Sequence, residues 1–598
     1  MAQMIPGDVT HLHADTTRGE KALYKIIKKH TPNDWICYAC QELSEGNRPD
    51  FVIIGPDLGV VILEEKNIPL NLVKKFTTET WTVIRDGNSE EEHHPLRQAR
   101  GYVVKAIRVL KKYKRLTDKK GRLKFVYIHG VVLSGISRNE LVQANIQSFS
   151  SAPIETFEPH LVISSDELPT IRQKESDFAK RIRKMASLFS FDNLDDGDIQ
   201  TIRGALYPEV RARFLADDLT DRNAVLESLT VEQEQMARGI GKNDKVPHRL
   251  LKGVAGCGKS IILRTRATDI ARQNPNWNIL VTFFTRSLKN YLGKKLPPNV
   301  EVKTIGQVIW EQYKKFYDRD IEFDSRSEDF CAGLTNYLVE NNYSKGKYHA
   351  ILVDEVQDIN GAQVGLLRHL LDQETNCAFF CGDDAQNIFG QKMPKWKEHG
   401  FLFQGRTSTL ELSCNYRNTQ QIFDFAWNYI QDQFDNEEQE ASGLLKALGG
   451  PYQNVECKRL GPKPYLREYN NTSEEFDAIV QEINRLIKEG KVAPGLIGIL
   501  HPIATGNSEK KITPLKQALK QKNIPVYWLS KDRDSKIDYD PDINKVTLST
   551  PDSGKGLEWD IVFMLSINKY HEKKSDALRF VAAMRARNIL YPSVVKNY

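Results

Sequence analysis

The chain has 598 residues, of which 40% are hydrophobic and 27% are charged. This length exceeds what one hydrophobic core supports, so we expect two to four domains, and the composition excludes a disordered, collagen-like or coiled-coil chain. The 84 Lys and Arg residues against 78 Asp and Glu residues give a net charge of +6, which is compatible with nucleic-acid binding without being evidence for it. Eight scattered cysteines, an N-terminus without a signal-peptide core and the lack of an apolar stretch of ~20 residues predict a soluble cytoplasmic protein.

The first third of the chain reads as an α+β domain over residues 1–205. Its hydrophobic pattern predicts helices near 19–30 and 96–113 and short strands at 35–41, 51–55, 59–65 and 125–133. The turn at 56–59 separates two apolar runs and therefore predicts a hairpin.

Two acidic residues and a lysine occupy this predicted hairpin. Strand alternation places Glu64 and Lys66 on one face of their strand and Glu65 on the other. The hairpin brings Asp50 toward Glu64. Two carboxylates and a lysine in this arrangement can hold Mg²⁺ or Mn²⁺ and activate a water molecule, so Asp50 and Glu64 are candidate metal ligands.

This pattern resembles the PD-(D/E)xK nucleases, and residues 15–190 resemble a nuclease-related (NERD) domain with a restriction-endonuclease-like α/β fold. The resemblance implies that Glu20 is the family's helix-borne acid. Residues 98–102, QARGY, are similar to the QxxxY motif of RecB-type nucleases, which marks Gln98 as a site residue. The alternative is a module that binds nucleic acid without cutting it.

A basic stretch follows at 105–124, with ten Lys or Arg residues against one Asp. On the same predicted helix as Gln98, it either tracks a phosphate backbone or is a solvated face.

From about residue 229 the chain alternates strands and helices, which predicts a mostly parallel sheet with helices on both faces. Residues 253–260 read GVAGCGKS and fit the P-loop pattern between a strand at 249–252 and a helix from 261. Gly253, Gly256 and Gly258 let backbone N–H groups converge on ATP phosphates. Lys259 would reach the β- and γ-phosphates, and Ser260 would ligate Mg²⁺. The alternative is a chance glycine-rich turn.

Two acids follow the apolar strand at 350–353. Asp354 points toward the metal beside the P-loop, and Glu355 can polarise the attacking water, whereas the plainer interpretation is a solvated turn.

Six segments in order resemble the motifs of UvrD/Rep-type superfamily 1 helicases across residues 225–598. They are the Q motif at 229–233, the DExQD box at 354–358, GDxxQ at 382–386, NYR at 415–417, KGLE at 554–558 and VxxTRAR at 581–587. The resemblance implies nucleotide contacts by Gln233 to adenine, Tyr416 to the base, Glu558 to the ribose, and Gln386, Arg417 and the arginine finger Arg585 to the γ-phosphate.

An arginine finger acts across a cleft, so two RecA-like lobes are predicted, at 206–405 with a small insertion at about 295–345 and at 406–598. Too little chain remains for a large 2B insertion. The sequence departs from the family at Met584 and Asp552. It also has Gln391 in place of a base-stacking aromatic, so that grip is weaker or comes from Phe389 or Trp396. The chain ends eleven residues after Arg587, which suggests that a C-terminal element is absent.

The favoured function is an ATP-driven translocase or helicase on a single strand of DNA, joined to a metal-dependent nuclease. Such fusions resemble bacterial nuclease–helicase proteins of anti-phage immunity, with DNA repair as the other setting. Two alternatives remain. One is a nucleic-acid-stimulated ATPase whose N-terminal module only binds or recruits. The other is an ATP-dependent switch that is not a motor.

Overall fold

The structure is a computed structural model, and it describes most of the chain. The described residues are 1–13, 15–44, 46–76, 79–85, 87–148, 159–173, 177–186, 193–207, 229–238, 248–284, 296–316, 322–383, 386, 394–403, 409–412, 414–430, 455–489, 492–502, 508–540, 543–570 and 575–597. The chain divides into two compact units, Met1–Asp244 and Lys245–Tyr598.

The N-terminal unit is built on a mixed sheet flanked by helices. Its strands are β1 (Gln3–Ile5), β2 (Ile36–Ala39), β3 (Phe51–Gly55), β4 (Gly59–Lys66), β5 (Val73–Phe76), β6 (Thr80–Arg85), β7 (Asn88–His93), β8 (Tyr127–Leu133) and β9 (Val162–Ser164). Its helices are α1 (Arg18–His30), α2 (Pro95–Leu110), α3 (Arg138–Ser148), α4 (Phe178–Ala186), α5 (Asp196–Leu206) and α6 (Val231–Arg238).

The main sheet of this unit has the strand order β1-β2-β3-β4-β8-β9 among the described residues. The hairpin pair β3 and β4 is antiparallel, and β4 pairs parallel to β8. The apolar side chains of β3 and β4 are buried, because helices cover the sheet that they form. The predicted hairpin is therefore present, and it places Asp50 directly before β3 and Glu64 near the end of β4.

A second, three-stranded antiparallel sheet, β5-β6-β7, lies between β4 and α2 in the chain. The hydrophobic pattern does not predict it, since strand β7 reads NSEEEH and lacks apolar alternation. Its small core consists of the buried side chains Ile68, Trp81 and Val83.

A buried polar cluster attaches α5 and α6 to the main sheet. The Arg203 guanidinium donates to Glu234 Oε2 at 2.8 Å and to the Tyr38 hydroxyl at 2.9 Å. Tyr207 stacks on Tyr38 with ring centroids 3.9 Å apart. The cluster satisfies the charge of Glu234, which is fully buried. The helix α6, which carries the predicted Q motif, thus belongs to the N-terminal unit, while the domain boundaries at 205 and 405 stay predictions.

The C-terminal unit alternates strands and helices as the sequence predicted. Its strands are β10 (His248–Gly253), β11 (Ile279–Phe283), β12 (Val300–Thr304), β13 (Ala350–Val353), β14 (Cys377–Gly382), β15 (Thr409–Leu412), β16 (Cys414–Thr419), β17 (Glu456–Arg459), β18 (Arg467–Asn471), β19 (Ile497–Leu500), β20 (Val526–Trp528), β21 (Val546–Ser549), β22 (Trp559–Met564) and β23 (Ala586–Asn597). Its helices are α7 (Lys259–Gln273), α8 (Ile305–Phe316), α9 (Glu328–Glu340), α10 (Gly361–Leu370), α11 (Gln420–Trp427), α12 (Thr472–Lys488), α13 (Ser508–Gln521), α14 (Arg533–Ile537) and α15 (Ser575–Ala583).

The described strands of this unit form two six-stranded parallel sheets and one two-stranded pair, β16-β17. The sheet orders are β12-β11-β13-β14-β10-β15 and β18-β23-β22-β19-β21-β20. Each six-stranded sheet has its own apolar core. The predicted fold class, an α/β domain followed by two parallel-sheet lobes, is confirmed. Within the described ranges, no helix combines the length and the apolarity that a membrane span requires.

Candidate functional site

The predicted nuclease residues Asp50, Glu64 and Lys66 lie together at the end of the β3–β4 hairpin. Glu64 Oε1 accepts the backbone N–H of Asp50 at 3.3 Å, and Lys66 Nζ lies 3.4 Å from Glu64 Oε2. The Asp50 carboxylate accepts the backbone N–H of Glu65 at 2.7 Å. The register of the hairpin produces this grouping, because Phe51 pairs with Leu63 and Asp50 therefore stands opposite Glu64.

The electrostatics of this group show an excess of negative charge. Burial, followed by the nearby Glu64 carboxylate, raises the pKa of Asp50 to about 8. Burial also raises the pKa of Glu64, although Lys66 opposes the shift. Burial raises the pKa of Glu65, on the other face of β4, to about 7. A cation at this place would stabilise the ionised carboxylates.

Glu20 belongs to the first turn of α1. Its Oε2 accepts the backbone N–H of Thr17 at 2.7 Å, while the Thr17 hydroxyl accepts the N–H of Glu20, so the two residues form a capping box. Its negative charge contributes to the raised pKa values of both Asp50 and Glu64. The predicted acid is thus near the group, with one carboxylate oxygen engaged in starting its own helix.

Gln98 and Tyr102 face the same group from α2. Gln98 Nε2 donates to the Tyr102 hydroxyl at 3.0 Å. Burial raises the pKa of Tyr102, and the charges of Glu64 and Asp50 raise it further. The QxxxY spacing therefore places both side chains on the helix face that meets the carboxylates.

The residues present fit a divalent cation in part. Asp50 and Glu64 offer hard oxygen donors, which Mg²⁺ and Mn²⁺ prefer. Over the residues that the structure describes, however, no group of three or more His, Cys, Asp or Glu side chains is close enough to form a complete site. Water or substrate oxygens would have to supply the other ligands.

The basic stretch differs from the prediction in one respect. We expected it on the helix of Gln98, but α2 ends at Leu110 and a short 3₁₀ turn follows at Lys114–Leu116. Arg115 is bound to Asp195 at 2.6 Å and to Asp198 at 3.0 Å, which leaves it a structural role. Exposed side chains in the stretch include Lys111, Lys112, Lys119 and Lys120.

The P-loop follows β10 and leads into α7. Gly256 and Gly258 have φ values of 75° and 92°, which favour glycine, and Gly258 caps the helix that begins at Lys259. A Cβ added to Gly256 would lie 2.8 Å from Arg417 Cβ. Glycine here permits the close approach of the NYR segment, and the Tyr416 N–H donates to the Gly256 carbonyl at 3.1 Å.

Lys259 is 7% exposed and bonded within the loop. Its Nζ donates to the carbonyls of Gly253 at 2.7 Å and Val254 at 3.0 Å, and lies 3.6 Å from Asp383 Oδ2. These bonds hold the ammonium group at the centre of the loop, where backbone N–H groups and the helix N-terminus also add positive potential.

Asp354 and Glu355 follow β13, as predicted. Asp354 is fully buried and bonded to the Ser260 side chain; burial, followed by the Glu355 charge, raises its pKa to about 6. Its Oδ2 has no hydrogen-bond partner among the described residues. An unsatisfied carboxylate oxygen beside a serine hydroxyl fits Mg²⁺, which both residues would hold.

Glu355 has a left-handed backbone, with φ 52°, which is uncommon for a residue with a side chain. The Gln357 amide bonds its carboxylate. Although burial opposes ionisation, the positive charges of Lys555 and Lys259 hold the pKa of Glu355 below its usual value. Glu355 therefore stays ionised, as the polarisation of a water molecule requires.

Gln386 connects the two parallel-sheet lobes of the C-terminal unit. Its Nε2 donates to Asp383 Oδ2 at 2.7 Å, and its Oε1 accepts from Arg585 Nη2 at 2.8 Å. Burial, followed by the repulsion from Arg417, lowers the pKa of Arg585 to about 10, so the guanidinium remains charged at neutral pH.

A buried ion pair makes a second connection. Lys555 Nζ donates to both carboxylate oxygens of Asp358, at 2.8 and 2.7 Å, and to the Gln386 carbonyl at 2.7 Å. Both side chains are inaccessible to solvent. The motif spellings marked these residues without indicating that they pair with each other.

The remaining predicted residues divide into two groups. Arg417 forms an ion pair with Glu558, so the NYR and KGLE segments meet. Gln233 lies in the N-terminal unit, where its Oε1 accepts the Thr230 N–H at 2.9 Å; its role toward adenine stays a prediction. Phe389 and Gln391 lie outside the described residues.

Trp396, one of the alternatives for a base-stacking aromatic, is partly buried and packs on Phe380 with ring centroids 4.8 Å apart. This position gives it a role in the core of the first lobe.

Comparison with known families agrees with this division of the chain. Residues 16–134 match the nuclease-related domain, NERD, and residues 239–392 match an AAA domain. The first match contains all the residues of the hairpin site, and the second contains the P-loop and the two acids after β13.

Curated relatives are similar over parts of the chain. DNA helicase II of Rickettsia typhi is 27% identical over 216 residues, which are 34% of this chain and 29% of the relative. An ATP-dependent helicase/nuclease protein of Listeria welshimeri is 23% identical over 197 residues, 30% of this chain and 16% of the relative. Its counterpart in Lactobacillus johnsonii is 28% identical over 131 residues, 20% of this chain and 10% of the relative.

This chain spans less than a third of the length of each of these relatives. What the comparisons establish is therefore the domain content. The chain combines an N-terminal nuclease-related (NERD) domain with a helicase region of the UvrD-like type.

Proposed function

We propose that the chain is an ATP-driven DNA translocase or helicase joined to a metal-dependent DNA nuclease. The observation that carries the motor half is the pair of connections between the two parallel-sheet lobes, Gln386 to Arg585 and Asp358 to Lys555. Both connect residues around the P-loop of the first lobe to the second lobe, so a change in the bound nucleotide would alter contacts between the lobes.

Hydrolysis would use the chain's own groups as follows. Lys259 leaves the carbonyls of Gly253 and Val254 and turns to the phosphates. Ser260 and Asp354 hold the Mg²⁺ ion, which offsets phosphate charge. Glu355 orients the attacking water, and Arg585 stabilises charge on the γ-phosphate from the second lobe.

The nuclease half is supported by the grouping of Asp50, Glu64 and Lys66. The two carboxylates would hold Mg²⁺ or Mn²⁺, which lowers the pKa of a bound water. Lys66 would stabilise negative charge on the scissile phosphate, because Glu64 and Asp50 hold its pKa above the usual value despite burial.

The motor is tested by ATP hydrolysis with and without single-stranded DNA. We expect hydrolysis that rises with added DNA. Hydrolysis that DNA does not change would instead favour an ATP-dependent switch, and a parallel RNA titration would identify the preferred nucleic acid.

The second candidate is an ATPase whose NERD domain binds or recruits nucleic acid without cutting it. The observation in its favour is that the described residues contain no complete three-ligand metal group. A cleavage assay across Mg²⁺ and Mn²⁺ concentrations separates the two. Binding without cleavage in either metal would favour this candidate.

The cellular setting is proposed from resemblance to nuclease–helicase proteins of anti-phage immunity, with the cytoplasm as its location. Expression of the wild-type chain in a bacterial host should lower phage plaque counts, and Glu355→Gln should not. Equal protection by both, or sensitivity to DNA damage in place of phage, would contradict the defence role.

A further inference from the structure

A third buried carboxylate of the hairpin, Glu65, has no part in the proposed chemistry. It is 4% exposed and lies between Glu64 and Lys66 in the sequence of β4, so its side chain is on the opposite face of the strand. The Ser134 hydroxyl, directly after β8, donates to Glu65 Oε1. Glu65 thus joins the ends of two neighbouring parallel strands.

The carboxylate of Glu65 also packs against α1. A Cβ added to Gly19 would lie 2.5 Å from the carboxyl carbon of Glu65, which is closer than real Cβ contacts. Gly19 precedes Glu20 in the first turn of the helix, so the carboxylate occupies space that only a glycine leaves open. Burial and the bond to Ser134 restrict the carboxylate, so it cannot easily move aside.

We propose that Glu65 is a positioning residue of the nuclease site and that Gly19 is its receptor. The pair fixes the first turn of α1 against the end of β4, and therefore sets the distance between Glu20 and the group of Asp50 and Glu64. This inference rests on the proposed nuclease function. Glu65 is not a metal ligand here, because it faces away from Glu64 and Lys66.

The fit is tested with four variants: Gly19→Ala, Glu65→Ala, Glu65→Gln and the double variant Gly19→Ala/Glu65→Ala. Gly101→Ala is the matched control, since a Cβ at this helical glycine of the same domain meets nothing within 4 Å. Each full-length protein is titrated with Mn²⁺ while strand cleavage and the melting temperature are recorded. ATP hydrolysis reports whether the rest of the chain is folded.

We expect Gly19→Ala and Glu65→Ala each to need about 10- to 100-fold more Mn²⁺, as for residues that orient metal ligands. Glu65→Gln, which has the same shape and can still accept from Ser134, should remain close to wild type. The double variant should be no worse than either single change, because the methyl group introduced at position 19 enters the space left by the carboxylate.

Two results would overturn the inference while the nuclease stands. One is a Glu65→Gln variant as impaired as Glu64→Gln, which would make Glu65 a ligand. The other is a Gly19→Ala variant identical to Gly101→Ala. A wild-type chain that neither cleaves DNA nor gains thermal stability from Mn²⁺ would overturn the proposed nuclease itself, and this inference with it.

Discussion

The nucleotide site and the nuclease site both contain buried carboxylates, but they balance the charge differently. In the nucleotide site Asp358 is paired with Lys555 at 2.7 Å, and the positive charges of Lys555 and Lys259 keep Glu355 ionised. In the nuclease site Asp50 and Glu64 share one lysine, 3.4 Å from Glu64, and the pKa of Asp50 rises to about 8. The first site is held by the protein's own cations, whereas the second requires an added cation to be fully ionised.

This difference predicts different responses to mutation, and the largest concerns the arginine finger. Arg585→Ala should lower ATP turnover by about 10³–10⁵-fold, the range known for such fingers. Steady-state hydrolysis with saturating single-stranded DNA measures this loss. Arg579→Ala is the control, because Arg579 is on α15 of the same lobe and bonds to Asp576. A loss below tenfold would contradict the assignment.

The next effect concerns the residue assigned to the attacking water. Glu355→Gln preserves shape and should lower turnover by about 10²–10⁴-fold, as for other general bases, while ATP still binds. Lys259→Ala should lose turnover as well, together with phosphate binding. Nucleotide binding measured beside hydrolysis separates the two. If Glu355→Gln hydrolysed ATP at the wild-type rate, another residue would orient the water.

Breaking the buried ion pair tests the balance of charge in the nucleotide site. Lys555→Met leaves Asp358 buried without its partner, which should cost about 3–5 kcal/mol of unfolding free energy. The double change Lys555→Met/Asp358→Asn removes both charges and should recover a large part of that loss. Chemical denaturation of the three proteins measures it. Equal stability of Lys555→Met and wild type would show that the pair contributes nothing.

The nuclease site should respond to pH in the direction set by Asp50. Its raised pKa means that Mn²⁺ must displace a proton below about pH 8, so apparent Mn²⁺ affinity should rise from pH 6 to 8 and then level off. Since the folded acid binds its proton more tightly than the unfolded chain, metal-free protein should also lose stability between about pH 4 and 8. Asp50→Asn should flatten both trends in thermal melts. Affinity that falls as pH rises would contradict the metal assignment.

The smallest effect concerns the basic stretch. Replacing the four exposed lysines 111, 112, 119 and 120 by glutamine should weaken DNA binding for all sequences and reduce its salt dependence, as for phosphate contacts. Arg115 is retained because it bonds to Asp195 and Asp198. Binding measured from low to high salt checks this prediction, and an unchanged slope would identify the stretch as a solvated face.

The sequence predicted the hairpin and P-loop sites well because their spacing reflects local geometry. Alternation along β4 placed Glu64 beside Lys66, and the strand-to-helix turn placed Lys259. The contacts of Lys555 with Asp358 and of Glu65 with Gly19 were not predicted, since they join residues that are far apart in the chain. The sheet β5-β6-β7 was missed because its strands carry charges where apolar alternation was expected.

The central claim is that the chain contains two separable chemistries, and Lys66→Ala tests it most directly. Lys180→Ala is the control, an exposed lysine of the same domain that pairs only at the surface with Asp177. Strand cleavage and DNA-stimulated ATP hydrolysis are measured for both variants and wild type across Mg²⁺ and Mn²⁺ concentrations. We predict that Lys66→Ala loses cleavage and keeps ATP hydrolysis, while Lys180→Ala keeps both. Equal cleavage by Lys66→Ala and wild type, or no cleavage by wild type in either metal, would contradict the claim.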